Sequence, residues 1–230
     1  MSRTIKALAA LLGYPSAELQ QHVGEVREAL RPLPGGAQAR LEPLLQAFER
    51  DELLDLQSAY SELFDRSRAL SLHLFEHVHG DSRERGQAMI DLSQQYVERG
   101  FMLDTNELPD FVPVFLEYAA FLPPSEAQEL LRQPAHVFAA LAERLDKRRS
   151  SYAGVFHALL AIAAAKPDAD AVAELDKRTP AEDPARIDQE WEEAPVTFLA
   201  AGAAHDMGGP TGAFAKLRAA TRATSKEGER

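Results

Sequence analysis

The sequence predicts an all-α protein, a single globular domain of about eight to ten helices, on three observations. Its 39 alanines and 30 leucines far outnumber the 14 isoleucines and valines together, so the β-branched residues that fit pleated surfaces are scarce. Apolar residues recur at three- and four-residue spacing almost throughout, the period of a helix with one buried face. No Asn-Gly or Asp-Gly hairpin signal and no sustained alternation of apolar with polar residues interrupts them.

The opening residues, basic at Arg3 and Lys6 with apolar residues between and after, have the outline of a secretory signal. The unbroken apolar run from Ala7 to Leu12 is six residues, shorter than the roughly 7 to 15 of a signal core, and Gly13-Tyr14-Pro15 stands where a small-residue cleavage site belongs. This stretch is therefore expected to be a first helix, kept in the mature protein. Ser16 is a plausible N-cap for the next, with Leu19, Val23, Val26 and Leu30 on one face and a stop at Pro32 to Gly36. Leu41, Leu44, Leu45 and Phe48 mark another, and Leu53, Leu56, Tyr60, Leu63 and Phe64 the one after. The segment from Leu70 to His79 stops at Gly80. Asp81 can cap a helix carrying Met89, Ile90, Tyr96 and Val97 and ending at Gly100. Asp110 can cap the following one, where Pro113 is tolerated in the first turn. Beyond Pro123-Pro124-Ser125, shorter helices are expected around Leu130, from Phe138 to Leu145 and from Tyr152 to Ala165.

Composition shifts divide the chain into an expected helical core over 1–166, an acidic extension packed loosely on it over 167–204, and a disordered tail over 205–230. Between Asp168 and Glu193 ten Asp/Glu face three Lys/Arg, and Pro180 and Pro184 punctuate the run. The tail is rich in Gly, Thr and Ala and has little apolar periodicity. No repeat of a helical solenoid is visible.

The net charge of −11 is carried by the body, since the last 26 residues hold five Lys/Arg against three Asp/Glu. An acidic body repels nucleic acid and anionic membrane surfaces and attracts basic peptides. The absence of cysteine removes disulfides, thiolate zinc sites and iron-sulfur ligation by the chain. The longest apolar run, Ala158 to Ala165, is far short of the ~18 to 20 residues of a membrane span. A cytoplasmic protein without stable membrane association and without a bound cofactor is expected.

The densest chemistry lies between Leu70 and Met89. His73, Glu76 and His77 form an H-x-x-E-H string, the spacing that places two imidazoles on one helical face for zinc with a carboxylate to activate water. A third ligand is required, and Glu107, Asp110 or Glu117 are available without any spacing that singles one out. Read plainly, the same histidines are surface or helix-end groups. His77 and His79 come just before Gly80, where a helix C-terminus favours protonated imidazole.

The phrase from Tyr60 to Asp65, YSELFD, followed by LFEHVHGDSRERGQAM from Leu74 to Met89, resembles the nitrate reductase maturation chaperones of the NarJ family. ELPDFVPVFLEYA from Glu107 to Ala119 is similar to the second family motif, and Pro124 to Ala127, Tyr152 to Leu160 and Trp191 to Phe198 resemble later segments in the same order. The similarity covers about residues 4–200 and omits the tail. It implies a TorD-like all-helical chaperone fold and no enzyme activity. It also implies binding to the N-terminal region of the apo catalytic (alpha) subunit of nitrate reductase, which is kept competent for molybdenum cofactor and iron-sulfur insertion before membrane docking. Molybdenum cofactor biosynthesis proteins are implied as further partners. In the wider group the second motif resembles Glu-Pro-x-Asp-His. Here Pro109 falls two positions after Glu107 and Phe111 occupies the place of the His, so no role of that His, nucleotide binding included, carries over.

The client segment implied is amphipathic and basic, and needs an apolar groove with carboxylates at its rim. Tyr60, Phe64, Phe75 and Phe111 are the candidate lining, and Glu76, Glu107 and Asp110 the candidate rim, with His77 and His79 beside them. A zinc metallopeptidase and a generic helical adaptor are the alternatives.

Overall fold

The computed structural model describes residues 1–80, 82, 84–103, 107–167 and 169–178, all within the first of the two units into which the chain divides, Met1–Asp183. The all-α class expected from composition and periodicity is what the chain adopts. Among the described residues there are twelve α-helices and one 3₁₀ turn, Arg68–Leu70. The helices are α1 Ser2–Leu12, α2 Ala17–Gln21, α3 Val23–Leu30, α4 Gly35–Arg50, α5 Leu53–Phe64 and α6 Leu74–His79, then α7 Glu84–Glu98, α8 Val112–Phe121, α9 Pro124–Arg132, α10 Ala135–Lys147, α11 Ala153–Ala163 and α12 Ala169–Arg178.

Twelve rather than eight to ten follows from two places. The helix expected from Ser16 to Leu30 divides at His22, whose backbone leaves helical geometry while its Nδ1–H donates to the Glu18 carbonyl at 2.8 Å. Ser16 does cap α2, its Oγ accepting the Leu19 N–H at 3.1 Å. The second place is the acidic extension. Its first part forms α12, which packs on α10 through the buried Val172 and Leu175, three residues apart on one face, while Asp170 and Glu174 are exposed. The rest of 167–204, and the tail, lie outside the described residues, as does Asp81.

The first helix is not a dispensable leader in structural terms. α1 packs along α8 and also touches α3 and α11, with Ile5, Leu8, Leu11 and Leu12 fully buried. Ser2 Oγ donates to the Ala120 carbonyl at 2.6 Å and Thr4 Oγ1 to that of Ala29 at 2.9 Å. α10 and α11 pair, and α11 lies against α4 so closely that a Cβ on Gly154 would collide with the Arg40 carbonyl. Only glycine permits that approach.

α7 is held differently. Only Tyr96 is buried on it, and Gly100, at φ +78°, lets the Phe101 N–H reach back to the Tyr96 carbonyl at 2.9 Å, the left-handed close expected at that glycine. No helix among the described residues is long and apolar enough to cross a membrane.

Candidate functional site at the junction of α6 and α8

Two chain segments cross just before α6 and α8. Leu74 N–H donates to the Asp110 carbonyl at 3.0 Å and Val112 N–H to the Leu72 carbonyl at 2.8 Å, an isolated antiparallel bridge between His73 and Phe111. α6 has no side-chain cap of its own. Asp110 supplies one from across the bridge: its Oδ2 accepts the Phe75 N–H at 3.0 Å while Oδ1 accepts from His73 Nδ1 at 3.2 Å. Asp110 is 0% exposed, so both oxygens are committed to protein donors, as a buried carboxylate requires. Tyr96 fixes the preceding residue by donating its hydroxyl to the Pro109 carbonyl at 2.7 Å, and its ring lies 4.3 Å from that of Tyr118. Asp110 therefore caps α6 and not α8, whose N-cap is Phe111. The backbone pairing turns the carboxylate toward the earlier helix.

The two histidines of the H-x-x-E-H string have opposite electrostatics. The hydrogen bond to Asp110 raises the His73 pKa above the ordinary value, and His73 stacks at 5.3 Å on Phe111. Burial depresses that of His77, which donates Nε2–H to the Ser71 carbonyl at 2.8 Å. The shared helical face on which a zinc reading depends is not formed. His73 sits before the helix in extended geometry, with φ −98° and ψ 112°, and the ring nitrogen that each histidine hydrogen-bonds through faces a different partner. Among the described residues no group of three or more His, Asp or Glu is placed to hold a metal ion. Glu107 and Glu117 are exposed, and Asp110 meets His73 as a hydrogen-bond partner.

The outer edge of the junction is half-buried. Glu76 Oε1 lies 3.6 Å from Arg85 Nη1, His79 Nδ1 is 3.8 Å from Glu84 Oε2, and Phe75 meets the His79 ring at 5.6 Å. Seven of the nine candidate residues thus fall in or beside this one junction: Phe75, Glu76, His77, His79, Asp110 and Phe111, with Glu107 on the turn leading into it. Within it His77 and Asp110 are interior, and Phe75, Glu76, His79 and Phe111 reach the surface.

The other two are elsewhere and buried. Tyr60 and Phe64, 4% and 7% exposed, stack with each other at 4.9 Å and with Tyr152 at 6.1 and 5.1 Å, and Tyr60 donates to the Leu12 carbonyl at 2.8 Å. Their rings tie α5 to α1 and α11, so they are core residues and do not line an open groove. Sequence reasoning missed Tyr96, Ser71 and Tyr152, since nothing in local spacing says which tyrosine will brace a distant carbonyl.

In each of these contacts a polar side chain braces backbone or another side chain, and what reaches solvent is an edge of rings and paired charges. Such a helical scaffold offers surfaces for binding. The profile of the nitrate reductase delta subunit family matches residues 30–158. The nitrate reductase molybdenum cofactor assembly chaperone NarJ of Escherichia coli K12 is 47% identical over 197 residues, 84% of each chain. The probable nitrate reductase molybdenum cofactor assembly chaperone NarW of the same organism is 36% identical over 200 residues, covering 85% of this chain and 83% of the relative. The probable chaperone of the same description, NarJ, from Bacillus subtilis 168 is 31% identical over 161 residues, 69% of this chain and 86% of the relative. The chain belongs to the nitrate reductase delta subunit family.

Proposed function

We propose that this protein is a molybdenum cofactor assembly chaperone for respiratory nitrate reductase. It binds the N-terminal region of the apo catalytic subunit and keeps it competent for molybdenum cofactor and iron-sulfur insertion before membrane docking. The observation that carries this is 47% identity spread over 84% of both chains with a protein of that description, too long a match for a shared helical scaffold alone. The protein works in the cytoplasm and catalyses no reaction itself. Molybdenum cofactor biosynthesis proteins are its further partners.

Of the candidate residues, Phe75, Glu76, His79 and Phe111 form the half-exposed edge that touches the client, with Glu107 beside it, while His77 and Asp110 hold that edge in place and Tyr60 and Phe64 serve the core that joins α5 to α1 and α11. The tail adds little to this role. Deleting the gene tests the function. Nitrate reductase from the deletion strain is expected to accumulate without molybdenum and to regain it when the gene is restored. Fully loaded enzyme in the deletion strain would overturn the proposal, as would stoichiometric, tightly held zinc with peptidase activity in the purified protein.

A further inference from the structure

We propose that α7 is a strap that occupies the client-binding edge in the unbound protein, with Arg85 holding Glu76 in the place of a basic residue of the client. This rests on the chaperone reading above and adds how that site is regulated. α7 is held unequally along its length. Near its C-terminal end Tyr96 is fully buried, donates its hydroxyl to the Pro109 carbonyl at 2.7 Å and stacks on Tyr118 at 4.3 Å. Phe101 closes on both of those rings at 5.6 Å, and Arg99 Nη1 reaches Glu126 Oε2 at 2.6 Å. From Glu84 to Gln95, by contrast, no residue is buried. On the outer edge Ile90 is 60% exposed, so that half of the helix is covered on neither side.

The N-terminal half meets α6 through polar side chains. Arg85 Nη1 lies 3.6 Å from Glu76 Oε1, and Glu84 Oε2 lies 3.8 Å from His79 Nδ1. Both separations exceed a direct hydrogen bond. Arg85 and Glu76 are 24% and 25% exposed, so water screens their attraction and the pair adds little to stability. Glu76 and His79 are also the two polar side chains of the exposed edge, so the strap and the client compete for the same groups. A helical segment with few buried apolar contacts opens at low free energy, and α7 pivots on Tyr96 while its first turns lift from α6. Such a contact regulates binding by population: the apparent affinity of the edge is its intrinsic affinity scaled by the fraction of molecules in which the strap is lifted.

The test joins amide hydrogen exchange to calorimetric titration of the full-length protein with a synthetic peptide of the client's N-terminal segment. Arg85→Gln should speed exchange of the Ala88 to Ser93 amides and tighten peptide binding by about two- to fivefold, the range open when one solvent-screened ion pair is removed. Its melting temperature should be nearly unchanged. Arg85→Lys should restore both readings, and Arg99→Gln, at the anchored end, should leave affinity as in wild type. In wild type, bound peptide should speed exchange from Ala88 to Ser93 without reaching Tyr96. Wild-type affinity and exchange in Arg85→Gln would overturn the strap. Tighter binding without faster exchange would assign the gain to net charge and overturn it equally. Slower exchange of α7 in the complex would make α7 part of the contact instead of its competitor. No binding of the peptide by wild type or variant would remove the client reading and the competition with it, whereas binding that leaves α7 unmoved removes the strap alone.

Discussion

Asp110 and Phe75 are 35 residues apart in sequence, yet the buried carboxylate of the first accepts the backbone N–H of the second at 3.0 Å. A helix as short as α6, six residues, cannot support itself and depends on such external bracing. The same carboxylate holds His73, so one side chain joins the start of α6, the bridge and α8.

Replacing Asp110 should therefore damage the junction before the core. Asp110→Ala leaves the Phe75 N–H and His73 without their acceptor and is expected to cost about 2 to 4 kcal/mol. Asp110→Asn, which retains one acceptor oxygen, should cost less. Chemical denaturation measures both, and equal stability of Asp110→Ala and wild type would show that the cap is idle.

His73 and His77 should pull the pH profile of stability in opposite directions. The folded pKa of His73 is raised, so its contribution is complete below the unfolded value of about 6.5 and is lost as pH rises through the folded one. That of His77 is lowered, so its contribution is present above about 6.5 and is lost as pH falls through the folded one. His73→Gln should flatten the alkaline side of the profile and His77→Gln the acid side. Thermal melts across pH 5 to 8, a window of roughly the range in which histidine titrates, would show identical profiles if neither ring were coupled to folding.

Gly154→Ala should destabilise the α4–α11 contact by about 1 to 3 kcal/mol, because its Cβ has to displace main chain and not a flexible side chain. Gly24→Ala in α3, where nothing lies within 4 Å of the new Cβ, should be neutral or gain up to about 1 kcal/mol. Both are read from denaturant midpoints, and a neutral Gly154→Ala would mean that the two helices separate at little cost.

The sequence announces the helical class, most helix faces and the punctuation at Ser16, Pro113 and Gly100, because each depends on residues within a turn of one another. Its candidate residues also converge, seven of nine at one junction, because a shared motif had already grouped them. What it hides is direction. Asp110 reads as a cap for the helix that follows it, and only the antiparallel bridge between His73 and Phe111, set by backbone pairing of segments distant in sequence, turns it to the earlier helix. The H-x-x-E-H spacing implies a shared helical face only if the helix includes His73, and it starts one residue later. Tyr60 and Phe64 look like groove residues for the same reason that they are core residues: both roles want large rings on one helical face.

Deleting residues 208–230 should leave the melting temperature and client affinity nearly unchanged, since that segment lacks apolar periodicity and has no part in the family resemblance. A truncated protein that lost most of either would assign the tail a role.

Client binding should weaken with added salt without vanishing. The Debye length falls from about 10 Å at 0.1 M to about 3 Å at 1 M salt, which screens the acidic surface from a basic segment, while apolar burial at roughly 25 cal/mol per Å² persists. Titrations at several salt concentrations measure the split, and affinity indifferent to salt would remove the electrostatic part.

The most direct measurement is the affinity of the purified protein for three forms of the nitrate reductase catalytic subunit: apo, apo lacking its N-terminal segment, and cofactor-loaded. A maturation chaperone that holds the N-terminal region should bind the apo form tightly, the truncated form much more weakly and the loaded form least of all. Equal affinity for all three forms, or none for any, would contradict the account.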